Sequence, residues 1–274
     1  MFKSGSKSDT SNYLPISVLP VFAQILEKAV HEMVYNFILK HKHLSSYQSS
    51  FRPLHSTATS LIDITNIILH NTDKRKLTVL AFLDLSKALN TLDHKLPLTK
   101  LSDFGLSKSS VNWFKVYLTK RTQSVNINGI QSDAEPILYG VPQGSVLESP
   151  LFIMNINNLL SVTKYCKVHL YTRNTLLSFE SSFVQAIKAA LSQDLDHVVR
   201  WLNQNYLMLT YLKTKVIIMG THQKLSSVVS FTVSVNDKVL ERVYEFKYLG
   251  VILDPCLTWN KHIDISETKS HPAL

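Results

Sequence analysis

The sequence predicts an α+β fold, and three observations carry that expectation. Apolar residues recur at helical spacing in long stretches, most clearly between Phe22 and Ile38 and between Ile187 and Leu202. Short runs rich in Val, Thr, Tyr and Phe, bounded by turn residues, read as strands. The order along the chain is helix, helix, strand, helices, strand, helix, strands.

Taken in order, residues 1–13 are polar and expected to be a disordered N-terminal segment. From Val18 to Lys40 the apolar positions Phe22, Ile25, Leu26, Val30, Met33, Val34, Phe37 and Ile38 predict an amphipathic helix of about six turns. A polar, Pro-broken loop over 48–60 leads into a second helix, roughly Thr59–Asn71. Leu77–Leu85 reads as a buried strand, apolar on both faces until Asp84 interrupts it. A carboxylate there costs several kcal/mol to desolvate unless it meets a cation or donors. Two helices follow, Leu96–Leu101 and Ser109–Leu118, the second with a serine N-cap. Gln123–Ile127, then Asn128-Gly129 and a short return, form a strong hairpin signal. Gly140 to Ser145 is a turn preceding a helix over Leu151–Leu160.

The stretch Cys166–Phe179 predicts a second hairpin, with strands Cys166–Tyr171 and Thr175–Phe179 and Thr172, Arg173 and Asn174 at its tip. A helix over Phe183–Asn203 comes next. The remainder is β-rich, with strands at Val216–Met219, Val228–Val235 and Phe246–Leu253 and a turn at Asn236-Asp237.

At 274 residues, 45% hydrophobic and 18% charged, the chain has a globular composition. Its net charge of +9 suits an anionic partner, nucleic acid before a membrane surface, or simply a soluble basic protein. No run approaches the ~18 apolar residues of a spanning helix. The first residues lack the apolar core of a signal peptide, so an intracellular location in cytoplasm or nucleus is expected. Cys166 and Cys256 are far apart and read as buried thiols without metal or redox spacing. His41 and His43 lack the spacing of a helical metal pair, and His31 reads as an ordinary helix histidine. Glycine is scarce, only seven in all, and several loops built for glycine lack it.

Four stretches carry the chemistry. Phe82-Leu-Asp84-Leu-Ser-Lys87-Ala puts a carboxylate at a strand end, and Gly140-Val-Pro-Gln143-Gly144-Ser lets backbone approach a ligand closely. Tyr171-Thr-Arg-Asn174 is the hairpin tip, and Phe246-Lys-Tyr-Leu-Gly250-Val is a short strand with a bend. In this order, together with NYLPISVLP (12–20), QSSFRPLHST (48–57), KTK (213–215) and FKYLGVILDPCLTWNKHI (246–263), they resemble the reverse transcriptases of non-LTR retrotransposons. The likeness is to the jockey-like and chicken-repeat-like branches and runs from about Lys7 to about Ile263.

The resemblance implies a right-hand polymerase with N-terminal fingers and a palm carrying Asp84 and Tyr171. Its primer-grip region would be Phe246–Leu253, and its thumb would be largely absent. The domain is expected over 14–263, with a tail over 264–274 and no endonuclease domain. Relatives copy an RNA template onto a DNA primer by two-metal phosphoryl transfer, with carboxylates holding two Mg²⁺ ions. In the family's Tyr-Ala-Asp-Asp pattern the paired aspartates fall where this chain has Arg173 and Asn174. Three carboxylates set about −3 against two dications, whereas Asp84, Arg173 and Asn174 sum to about zero. Metal at Asp84 is therefore expected to be weak or lost, with Arg173 pairing to Asp84 instead.

Other departures point the same way. Leu89 stands where the family has an aromatic that excludes the ribose 2′-hydroxyl, Asn90 replaces an aspartate and Leu14 an arginine. Ser50, Leu54 and Glu148 replace glycines, and any of them at positive φ would be strained. Of the nucleotide-binding positions, Arg52 resembles a triphosphate-contacting fingers arginine or is a solvated loop charge. Gln143 and Gly144 resemble the turn that packs on the incoming nucleotide, or simply lead into a helix. Lys213 resembles the lysine near the leaving pyrophosphate, or is a surface lysine.

The expectation is a reverse-transcriptase-like domain that no longer polymerises. Its alternatives are an active RNA-templated DNA polymerase with an altered metal site, and a non-catalytic nucleic-acid-binding module or unselected fragment.

Overall fold

The structure is a computed structural model that describes residues 6, 13, 17–45, 47–50, 52–85, 93–119, 121–127, 129–142, 144–172 and 174–270. The helices are α1 (Val21–Lys40), α2 (Thr57–Asp73), α3 (Lys95–Asp103), α4 (Lys108–Leu118), α5 (Glu148–Ile156), α6 (Val184–Gln204), α7 (His222–Ser226) and α8 (Asn260–Ser270). The first strands are β1 (Leu77–Asp84), β2 (Thr122–Gln123), β3 (Asn126–Ile127), β4 (Ile130–Gln131) and β5 (Glu135–Pro136). Then come β6 (Lys167–Tyr171), β7 (Asn174–Ser181), β8 (Lys215–Met219), β9 (Ser234–Val235) and β10 (Lys238–Val239). The last are β11 (Glu241–Arg242), β12 (Phe246–Tyr248) and β13 (Val251–Leu253). The chain divides into a helical unit, residues 1–45, 87–157 and 205–207, and a sheet unit made of the rest.

In the helical unit, Val34 and Ile38 of α1 pack with Leu101, Phe104, Phe114, Leu118, Leu151 and Met154 around one core. α1 buries only part of the apolar stripe read from the sequence, chiefly Val34 and Ile38. Phe22 and Met33 are 87% and 73% exposed, while Glu27 is buried. The reason is polar. Glu27 accepts hydrogen bonds from the Tyr117 hydroxyl at 2.7 Å, the Ser145 hydroxyl at 2.9 Å and the Val146 N–H at 2.9 Å, which fixes the roll of the helix. Ser107, not Ser109, caps α4 by accepting from the Ser110 N–H. The predicted 123–131 hairpin is present as β3 and β4, with Ile127 opposite Ile130.

The sheet unit is built on the order β11-β8-β1-β7-β6. β1 is central and buried almost throughout, as its unbroken apolar run requires. It pairs antiparallel with β7 and β8, and α6 packs on β7. On the other face Leu80 and Phe82 meet Ile64 and Ile68 of α2, with Leu176, Ile217, Met219 and Tyr248 completing the core. Two strand readings need correction. Only Ser234–Val235 of Val228–Val235 is strand, turning through Asn236 and Asp237 at φ +48° and +59° into β10. Phe246–Leu253 is not one bent strand but a hairpin, β12 and β13, reversing at Leu249-Gly250.

Candidate active site

The β6–β7 hairpin is tighter than its sequence implied. Asn174 belongs to β7 and lies opposite Tyr171, so the loop is only two residues long. Three contacts fix its position. The Leu170 N–H donates to Tyr47 O at 3.0 Å, and the Ser49 N–H donates to Leu170 O at 3.0 Å. The Ser50 hydroxyl accepts from the Thr172 N–H. At the base, the buried Asp194 of α6 accepts from the N–H groups of Lys164, Tyr165 and Cys166 at 2.8, 2.8 and 2.6 Å. Sequence reasoning missed Asp194, although a lone carboxylate on the apolar face of an amphipathic helix was a visible signal. Burial, and then Asp194 itself, push the Cys166 thiol far up and leave it inert. Cys256 is only partly buried.

The register of β1 against β7 sets Asp84 directly opposite Asn174. A second connection delivers Lys213. The Thr210 N–H donates to the Asp84 carbonyl at 3.1 Å, the chain then makes a 3-10 turn over Tyr211–Lys213, and the Lys213 ammonium reaches 3.7 Å from Asp84 Oδ2. Asp84, Asn174, Thr175 and Lys213 line a small cavity of about 80 Å³ with Phe82, Phe246 and Tyr248. Phe246 stacks on Phe82 with ring centroids 4.1 Å apart, closing the apolar side.

Asp84, Asn174 and Lys213 are thus brought together. Arg52 is elsewhere in the sheet unit, donating from Nη1 to Gln48 O at 3.2 Å. Gly144 is in the helical unit at φ +98°, and its N–H donates to Glu148 Oε2 at 3.1 Å. Leu89, Gln143 and Arg173 lie outside the described residues, as do Leu14 and Asn90, so the expected Arg173–Asp84 pair does too. Of the three glycine replacements, only Leu54 has positive φ, at +65°. Ser50 and Glu148 instead put their side chains to use, as above. Among the described residues no group of three or more His, Cys, Asp or Glu could hold a metal ion.

Residues 4–253 match the family described as "Reverse transcriptase (RNA-dependent DNA polymerase)". The chain belongs to the reverse transcriptase family. Its relatives include the RNA-directed DNA polymerase from mobile element jockey of Drosophila melanogaster, 26% identical over 93% of the chain and 28% of the relative. The Drosophila funebris jockey polymerase is 28% identical over the same shares. The expected kinship with non-LTR retrotransposon polymerases is therefore borne out, and the chain spans little more than a quarter of these relatives' length.

Among solved structures, telomerase from Candida albicans in complex with the TWJ fragment of telomeric RNA aligns at a TM-score of 0.54. The alignment has 14% identity and covers 86% of this chain and 38% of that one. Apo telomerase from Candida tropicalis, truncated from the C-terminal domain, aligns at 0.53 with 11% identity, over 87% of this chain and 45% of that one. These likenesses bear out the α+β polymerase fold. No helix among the described residues is long and apolar enough to cross a membrane.

Proposed function

We propose that this chain is a reverse-transcriptase-like domain that holds nucleic acid but does not polymerise DNA. The observation that carries this reading is the pairing of Asp84 with a neutral Asn174 across β1 and β7, with the Lys213 ammonium at the same carboxylate. Two-metal phosphoryl transfer needs several carboxylates around both ions. One carboxylate, one amide and one ammonium do not make that donor set, and Arg173, next in sequence to Asn174, adds a cation that cannot be neutralised. The residues present therefore do not fit two Mg²⁺ ions.

The +9 charge supports a remaining affinity for RNA template and DNA primer, driven by phosphate neutralisation and insensitive to sequence. In this reading the domain spans 14–263, with Arg52, Leu89, Gln143 and Gly144 as remnants of the nucleotide site. Primer extension on an RNA template with Mg²⁺ or Mn²⁺ tests it. The natural chain is expected to be silent, and template-dependent product from it would overturn the proposal. Extension by the double variant Arg173→Asp, Asn174→Asp would locate the defect at the metal site.

A further inference from the structure

A second, smaller crevice lies on the α2 side of the same hairpin, entirely within the sheet unit. It measures about 20 Å³ and is lined by Ser49, Ser60, Asp63, His169, Tyr171 and Tyr248. Tyr248 also lines the larger cavity beside Asp84, so its ring borders both. Ser60 is 8% exposed, its Oγ is wholly shielded, and no group among the described residues hydrogen-bonds it. A buried hydroxyl left unpaired is costly, which makes such a group a pointer to something that pairs with it.

The size of the crevice limits what that is. One water needs roughly 10–15 Å³ and two to four polar partners, whereas organic ligands occupy cavities of about 300 Å³ and more. Polar partners are at hand: the Ser60 hydroxyl, the Asp63 carboxylate and the two phenols. Both phenol-bearing side chains, Tyr171 and Tyr248, line this one small crevice. His169 offers no cation. Its Nε2 is 3.1 Å from Ser178 Oγ, and burial, then Lys167, hold it down to about 4. An apolar void of this size would stay dry, but a polar one is hydrated.

We propose that Ser60 Oγ binds one ordered water in this crevice, and that this water ties α2 to the Tyr171 end of the hairpin. The site is independent of whether the domain polymerises. A crystal structure at a resolution that shows ordered solvent tests it directly, with density expected for a single water within hydrogen-bond distance of Ser60 Oγ. Absence of that density in well-ordered surroundings overturns the proposal.

A melting curve of Ser60→Ala gives a second and opposite-signed readout. Removing a satisfied hydroxyl strands the water and lowers Tm by about 2–4 °C. Removing an unsatisfied one relieves a penalty and leaves Tm equal or higher, which also overturns the proposal.

Discussion

Leu54 sits in a solvent-exposed loop, 98% exposed, with its backbone at φ +65°. For a residue with a branched side chain that conformation costs about 1 kcal/mol or more, and exposure leaves no packing to offset it. Leu54→Gly is therefore expected to stabilise the protein by about 1 kcal/mol, read as a rise in urea midpoint at unchanged m-value. The substitution at Ser50 behaves differently, because its hydroxyl holds the Thr172 N–H at the hairpin turn. The scarcity of glycine was legible in the sequence. Which replacement is strained was not, since φ is set by the path of the loop and not by the residue's name.

Lys100 is the other residue whose environment the sequence conceals. It is buried in the helical unit, donating to Asn155 O and, at 2.7 Å, to Asn205 Oδ1. Burial pulls its pKa down to about 8, against the opposing pull of Asp103. A base with a lowered folded pKa penalises folding fully below about 8 and not at all above its unfolded value near 10.5. Its contribution to stability thus rises with pH between those limits. The neutral variant Lys100→Met should lose this rise. Denaturant titrations of both proteins at pH 7, 8, 9 and 10 should show the natural chain gaining stability relative to the variant as pH increases.

At the scale of elements, polar anchors decide how apolar surfaces are used. Asp194 ties the N-terminus of β6 to α6 through three backbone N–H groups. Asp194→Ala strands all three and is expected to cost about 3–5 kcal/mol by chemical denaturation. Amide exchange should speed up first at Lys164–Cys166.

Glu27 does the same for α1. Glu27→Leu would leave the Val146 N–H and one of the Tyr117 and Ser145 hydroxyls, which lie 2.7 Å apart and can still pair with each other, without an acceptor, so a nominally apolar replacement should destabilise by about 2–4 kcal/mol. The 3.6 periodicity predicted α1 correctly as a helix and included its buried Val34 and Ile38, but it gave no sign that Glu27 is buried while Phe22 and Met33 are exposed. Apolar spacing reports which residues can be buried together, whereas three hydrogen bonds at 2.7–2.9 Å report which are.

At the scale of the whole molecule the governing quantity is the +9 charge. If the domain holds nucleic acid through phosphate neutralisation, log K should fall linearly with log salt, with a slope of about −0.7 per contacted phosphate on single strands and about −0.9 on duplexes. Filter binding across a salt series checks this, and binding indifferent to salt would contradict it. Affinity should be the same for the natural chain and for Asn174→Asp, since that change touches a single palm position.

Apart from α7 and α8, which it did not foretell, the sequence by itself determined the family, the buried β1 strand and, to within about a turn, the helices α1 to α6. Each of these is written in local residue order or in the period of apolar residues. Only the tertiary structure decided that Asn174 stands across from Asp84, that a 3-10 turn carries Lys213 to that carboxylate, and that α1 turns Glu27 inward. Those facts depend on strand register, loop path, and hydrogen bonds and an ion pair between residues as many as 129 positions apart (Asp84 and Lys213), which no local pattern encodes.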